Sequence, residues 1–360
     1  MPGARVRSYR FAEILRSRGV DAGVLSMADD FGARDGEDLF LMGNMRRLHL
    51  IHRAMESLKI HKNLTIVSQR AKYPALAAYF MFREEGTPYV FDYDDWELDL
   101  ENFFYINRVP LLSRLSSVKA FTERFARGAS RCIAASRKLE KLLSEWNPKV
   151  YYLPTGVDTD LYCPKDDCAS SDVTSFVWSG LVWGELIYRS ILDVAEGLER
   201  ARRRGAKIRL VLVGDGVWMP VLQSALSRLY PALDARFEGW VEPDRMPDLL
   251  ARMSVGIMTL AADPRRADWM ESKSPTKMFE YMAMGMPVLA SRIGEPCHIL
   301  EQGREGFLFD SPEDVEDASL RLAKDPELRR LMGRAAREKV MNRYSLKSLG
   351  DLLMEAVVGK

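Results

Sequence analysis

The chain has 360 residues, of which 47% are hydrophobic and 29% charged, with a formal net charge of +1. This length suits two cores of roughly 150–180 residues better than one, and the composition excludes general disorder. A near-neutral balance also excludes nucleic-acid binding driven by an overall basic surface.

The opening, MPGARVRSYRF, has basic residues with no apolar stretch after them, so no secretory signal is expected there. Its pattern then predicts a helix over Ser8–Arg18 and a strand over Ala22–Ser26. The Met45–Lys62 segment follows as a helix with Met45, Leu48, Ile51, Met55 and Leu58 on one stripe. Its Arg46, Arg47, Arg53, Lys59 and Lys62 face elsewhere, against one acid, Glu56, which leaves two readings: core packing with a solvated basic face, or peripheral contact with an anionic membrane. Strands are predicted at Leu64–Ser68, Tyr89–Asp92, Arg131–Ala135 and Val150–Pro154, with a helix over Ser113–Arg127. The polar stretch KDDCASSD at 165–172 then reads as a linker.

A second alternating series follows: strands at Ser175–Ser179, Ile208–Gly214, Arg236–Trp240, Val255–Leu260 and Pro287–Ser291, with a helix over Ile187–Arg204. Strands alternating with helices imply parallel sheets covered on both faces. The expected organisation is one lobe over 1–164, a second over 172–345, and a closing helix over 346–360 that packs back on the first. No apolar run approaches the ~18–20 residues that span a bilayer. Cys132, Cys163, Cys168 and Cys297 form no CxxC pair and are not spaced against the histidines, so free thiols in a reducing cytoplasm are expected rather than zinc.

The segment 255–291, VGIMTLAADPRRADWMESKSPTKMFEYMAMGMPVLAS, carries the most chemistry. A buried strand should end near Leu260, followed by a polar loop, with Ser274 at the N-cap and Pro275 at the first helical position. The free N–H groups at 274–277 would form an anion site at the sheet's carboxyl edge. Lys277 opposes its own helix dipole, which suggests a diphosphate partner, and Glu280 lies on the same face within reach of groups attached to it. The competing reading is a surface Lys277–Glu280 ion pair worth a few tenths of a kcal/mol. Asp92, Asp94 and Asp95 in DYDD admit three readings: a capped turn, an acceptor-side carboxylate that orients or deprotonates a hydroxyl, or a divalent-metal site.

The run SPTKMFEYMAMGMPVLAS resembles the signature of glycosyltransferase family four. Further similarity lies in RFAEILRSRGV, YVFDYDDW, LPTGVDTDLY, LVGDG and FEGWV, nearly the length of the chain. The resemblance implies the GT-B fold, two Rossmann-like lobes facing a cleft, and metal-free transfer from a nucleotide sugar with retention. By position it implies that Glu280 accepts the ribose hydroxyls, that Thr276 and Lys277 hold the diphosphate, and that Trp240 and Val241 border the base. Ser274 and Gly180 belong to the same donor site. The family's first paired acid would fall on Ser272, so Glu271 is expected to substitute for it. The arginine and lysine usual after the lobe's first strand are missing from GLVWGELIYR, and the usual opening strand and glycine-rich turn are not seen before Ser8. The expected activity is sugar transfer from a UDP- or GDP-sugar to a hydroxyl of a saccharide or glycolipid, with no tightly bound cofactor. A sugar-nucleotide epimerase and a non-catalytic binding or assembly partner are the alternatives.

Overall fold

A computed structural model describes residues 5–26, 44–71, 75–98, 118–165 and 172–359. Contacts divide the chain into two units: Met1–Thr155 with Ser272–Ser274 and Leu349–Lys360, and Gly156–Glu271 with Pro275–Ser348.

The first unit holds a four-stranded parallel sheet in the order β1-β2-β3-β4, with β1 Ile66–Gln69, β2 Tyr89–Tyr93, β3 Arg131–Ala134 and β4 Val150–Tyr152. Every residue of β2 is buried, as a parallel strand covered on both faces requires. Leu50, Ile51 and Ala54 of the Asn44–Lys59 helix pack into this core with Leu76, Phe91, Phe125 and Leu139. Of the expected stripe, Ile51 is buried and Met55 and Leu58 pack half-buried on this core, but Met45 and Leu48 at its start are exposed. Ala22–Ser26 forms no strand, and Arg5–Tyr9 is a π-helical turn that runs into the Arg10–Ser17 helix. Residues 113–117 of the predicted third helix lie outside the described residues; Val118–Gly128 is helical.

The second unit holds a six-stranded parallel sheet in the order β10-β9-β8-β5-β6-β7. Its strands are β5 Thr174–Leu181, β6 Ile208–Asp215, β7 Asp234–Gly239, β8 Val255–Met258, β9 Val288–Ser291 and β10 Gly306–Phe309. The chain starts in the middle at β5, winds outward to β7, then returns to the other side of β5 at β8. That reversal creates a switch point between β5 and β8, outside whose carboxyl ends ligands of doubly wound sheets bind. β10 was not foreseen from the sequence. The predicted polar loop at 261–273 contains two short helical turns, Pro264–Arg266 and Ala267–Glu271.

Candidate active site

The Thr276–Ala283 helix is set against the switch point by Tyr281. Gly256 of β8 makes room for its ring, since a Cβ there would stand 2.3 Å from Tyr281 Cδ2. The Tyr281 hydroxyl accepts a hydrogen bond from Ser179 N at 3.0 Å and lies 2.8 Å from Ser179 Oγ, at the end of β5. Burial pushes the Tyr281 phenol upward, so it stays a neutral strut.

Lys277, in the first turn of that helix, comes to rest at the carboxyl end of β5. Its ammonium lies 4.3 Å from the centre of the buried Trp178 ring, a cation–π contact. Gly180 leaves the space it occupies: a Cβ there would meet Lys277 Nζ at 2.7 Å, and the φ of +151° suits only glycine. Desolvation lowers the Lys277 pKa to about 8, opposed by the charge of Glu280. Glu280, one turn on, accepts a hydrogen bond from Tyr162; burial raises its carboxyl to about 7 against that bond and Lys277. The two charges sense each other, but the structure forms no direct ion pair between them, which removes the surface-pair reading.

Ser274 does not cap this helix. Pro275 occupies the cap position with no side-chain bond, and Ser274 Oγ instead accepts from Thr155 N at 3.3 Å. The amides of Thr276 and Lys277 still have no acceptor within the helix, as at any helix start. Glu271 ends the Ala267–Glu271 turn after β8, where its backbone packs on Gly294 (a Cβ there would come within 2.8 Å), and Ser272 beside it is fully buried. Trp240 is 55% exposed just past β7, with Nε1 donating to Glu242 at 3.1 Å, while Val241 packs on the core. β7 stands two strands from β5, about 10 Å across the sheet.

The acidic run has a different character, and the capped-turn reading of Asp92 is overturned. Asp92 is a buried residue of β2, gripped by Arg7 through Nε to Oδ2 at 2.8 Å and Nη2 to Oδ1 at 2.7 Å. The same Nη2 donates to Leu153 O at 2.9 Å. Burial raises the Asp92 carboxyl although Arg7 works against it. Asp94 accepts from Arg70 Nε at 2.6 Å and Gln69 Nε2 at 2.8 Å. Burial would raise it too, yet Arg70, Arg7 and Gln69 hold it below the usual carboxylate range. Arg70 takes a φ of +64°, a costly conformation that its bonds to Asp94 and Glu97 fix in place. Asp95 keeps a side chain 25% exposed and accepts from Lys273 Nζ at 2.7 Å. Burial lowers the Lys273 pKa, with Asp95 opposing. Each carboxylate of DYDD thus already faces a cation of the protein. Among the described residues no group of His, Cys, Asp or Glu gathers as metal ligands.

The glycosyl transferases group 1 profile matches residues 181–325. Over this segment the chain is similar to the group 1 glycosyltransferases. A sulfoquinovosyl transferase of Arabidopsis thaliana is 31% identical over 140 residues, 36% of this chain and 24% of that one. A GDP-mannose-dependent alpha-(1-6)-phosphatidylinositol monomannoside mannosyltransferase of Mycobacterium tuberculosis is 28% identical over 217 residues, 58% of this chain and 55% of that one. The matched stretches therefore span from a quarter to about half of these two relatives. Among solved structures, Anabaena HepE in complex with UDP superposes with a TM-score of 0.65 at 15% identity, covering 89% of this chain and 85% of that one. A glycosyltransferase of Rickettsia africae gives 0.66 at 17% identity, with 98% and 94% covered. These likenesses, with two parallel α/β sheets, show the GT-B fold.

Sequence reasoning singled out Lys277, Glu280 and Gly180 but not the residues they meet in the structure. Trp178 was hidden in an apolar strand, and Tyr162 in a segment valued for its backbone. Arg70 and Lys273 were missed because they meet the DYDD run from 24 or more residues away, which no local period reveals.

Proposed function

We propose that the chain transfers a sugar from a UDP- or GDP-sugar to a hydroxyl of a saccharide or lipid-linked saccharide, with retention. The observation that carries this reading is Lys277: an ammonium held on the Trp178 face beside Gly180, without a carboxylate bonded to it. A cation kept there at the start of a helix suits a diphosphate whose charge grows as the glycosidic bond breaks. Glu280, oriented by Tyr162, suits the paired hydroxyls of a ribose. Thr276 and Lys277 would add main-chain amides to the phosphates, Trp240 and Val241 would border the base, and Glu271 would take the place of the acid missing at Ser272.

On the acceptor side the role falls to Asp95 rather than Asp92. Asp95 retains exposed surface and is oriented by Lys273, whereas Asp92 is spent on Arg7. An Asp95 carboxylate held this way suits the alignment of an acceptor hydroxyl. The family segment and the likeness to HepE with UDP support this reading. A cytoplasmic setting, where nucleotide sugars are made, goes with it.

The test is incubation with a panel of UDP- and GDP-sugars, with release of free nucleotide and the anomeric configuration of the product as readouts. Turnover of one donor with retained configuration is expected. Binding without turnover would instead favour a non-catalytic partner, the reading suggested by the missing basic pair after β5.

A further inference from the structure

The loop that lacks the expected basic pair carries a tryptophan instead. Trp183 is 48% exposed and meets Trp269 edge to face, with ring centroids 5.6 Å apart at 83°. The two come from loops after β5 and β8, the strands that flank the switch point. Trp183 lies three residues past Gly180, which abuts the Lys277 ammonium, and Trp269 lies two residues before Glu271. Three extended residues span at most about 10 Å. The backbones of both tryptophans thus stand within about 10 Å, by chain, of the residues assigned above to the donor.

The platform is also rigid at its base. Val182 N donates to Asp215 O at 2.8 Å, and Val182 O accepts from Trp218 N at 2.9 Å. A Cβ on Gly216 would come within 2.4 Å of that same Val182 carbonyl oxygen, so the loop after β6 closes tightly on it. Leu181, 41% exposed, extends the apolar surface. Together with Trp269, the half-exposed Trp183 and Leu181 leave an aromatic and apolar surface at the carboxyl end of the sheet, the kind of lining small-ligand sites use. Next to a cation suited to phosphate, the group that fits is a pyranose ring: its axial C–H bonds stack on an indole face, while its hydroxyls remain free for polar partners.

We propose that Trp183, braced edge to face by Trp269, forms a stacking platform for the sugar ring of the donor, taking over part of the holding that a basic pair would otherwise provide. This rests on the donor-site reading above and adds to it a specific contact with the sugar, separate from those with the nucleotide. The discriminating measurement is affinity for a nucleotide against affinity for its sugar conjugate: UDP beside UDP-glucose, and GDP beside GDP-mannose, for the wild type, Trp183→Ala and Trp183→Phe. Trp183→Ala should weaken the bound sugar nucleotide roughly three- to tenfold. It should leave the matching free nucleotide unchanged, and Trp183→Phe should recover most of the loss. Melting temperature, followed alongside, should stay level because the side chain is half exposed. Equal loss for nucleotide and sugar nucleotide would place the tryptophan at the base or phosphates and overturn the proposal. So would no loss at all. A wild-type protein that binds neither nucleotide would overturn the donor-site reading itself, and the platform with it.

Discussion

Lys277 and Glu280 sit one turn apart with their pKa values drawn toward each other, Glu280 up from 4.5 to about 7 and Lys277 down from 10.5 to about 8. Both shifts come first from desolvation, and together they set a window for donor binding. Below about pH 7 Glu280 gains a proton and can no longer accept from two ribose hydroxyls; above about pH 8 Lys277 loses the charge that faces the diphosphate. Donor affinity should therefore fall on both sides, with Glu280→Gln abolishing the acid limb and Lys277→Ala the alkaline one. Titrating Kd against pH for both variants checks this. At the optimum, Glu280→Gln should weaken binding at least roughly tenfold, while Lys277→Ala should lower kcat more than affinity. The stability sign differs from that of an ion pair. Between pH 4.5 and 7 the folded chain keeps a Glu280 proton that the unfolded chain has released, so folding loses stability as pH rises through that window. Glutamine escapes that loss, so Tm of Glu280→Gln should gain on the wild type from pH 4.5 to 7 and hold its lead above it. A Tm that drops in the variant would restore the ion pair. A further expectation concerns DYDD: because Arg7, Arg70 and Lys273 already meet its carboxylates, chelator treatment should leave turnover nearly intact. A chelator-dead enzyme rescued by manganese would make these residues ligands.

Strands announce themselves in sequence when they are long and buried on both sides. β5 and β6 each run eight residues and were legible to within a few positions. β10, the four residues GFLF, was not: so short an apolar run does not differ from a loop, and only pairing with β9 makes it a strand. Ala22–Ser26 failed in the other direction: its alternation is real, but among the described residues no strand pairs with it, and Ala22 O accepts from Arg16 Nε at 2.6 Å instead. The helix start at 274–276 was misjudged because Ser-Pro is a good cap pattern, yet the serine hydroxyl found Thr155 N instead. The N-terminal turn was unreadable for a similar reason. Arg7 looks like a surface cation until Asp92, 85 residues later, is seen to bind it. This pair ties Arg5–Tyr9 to the centre of the first sheet, and its loss should be felt as stability. Arg7→Ala should cost about 3–5 kcal/mol by leaving Asp92 charged and alone, whereas Arg7→Met combined with Asp92→Leu should recover most of it. Denaturant midpoints measure both. A double variant no more stable than the single would show that the pair, and not the stranded charge, is what the fold needs.

At the scale of the whole chain, the first unit is built from three separate stretches, 1–155, 272–274 and 349–360. The net charge of +1 conceals a local bias. No described helix is long and apolar enough to cross a membrane. Among its described side chains, the Asn44–Lys59 helix buries Leu50, Ile51 and Ala54 and packs Met55 and Leu58 half-buried on the core, but leaves Met45 81% and Leu48 48% exposed, beside exposed Arg46 and Arg53. Ile60, 79% exposed, follows at its end. Lys59 pairs with Glu85 at 3.2 Å. A solvated face has no need for exposed methionine, leucine and isoleucine, but an acceptor carried on a lipid would bring them against a bilayer. Two arginines near an anionic surface contribute about 1 kcal/mol each, screened by salt. The chain should therefore co-sediment with vesicles containing phosphatidylserine at low ionic strength and come off at high salt. Arg46→Gln with Arg53→Gln should weaken this roughly thirtyfold, and Met45→Ser with Leu48→Ser should weaken it without changing its salt dependence. Equal binding to neutral and anionic vesicles would rule out the electrostatic part. Absence of binding to either would leave the helix as a cover for the core whose basic face meets only water.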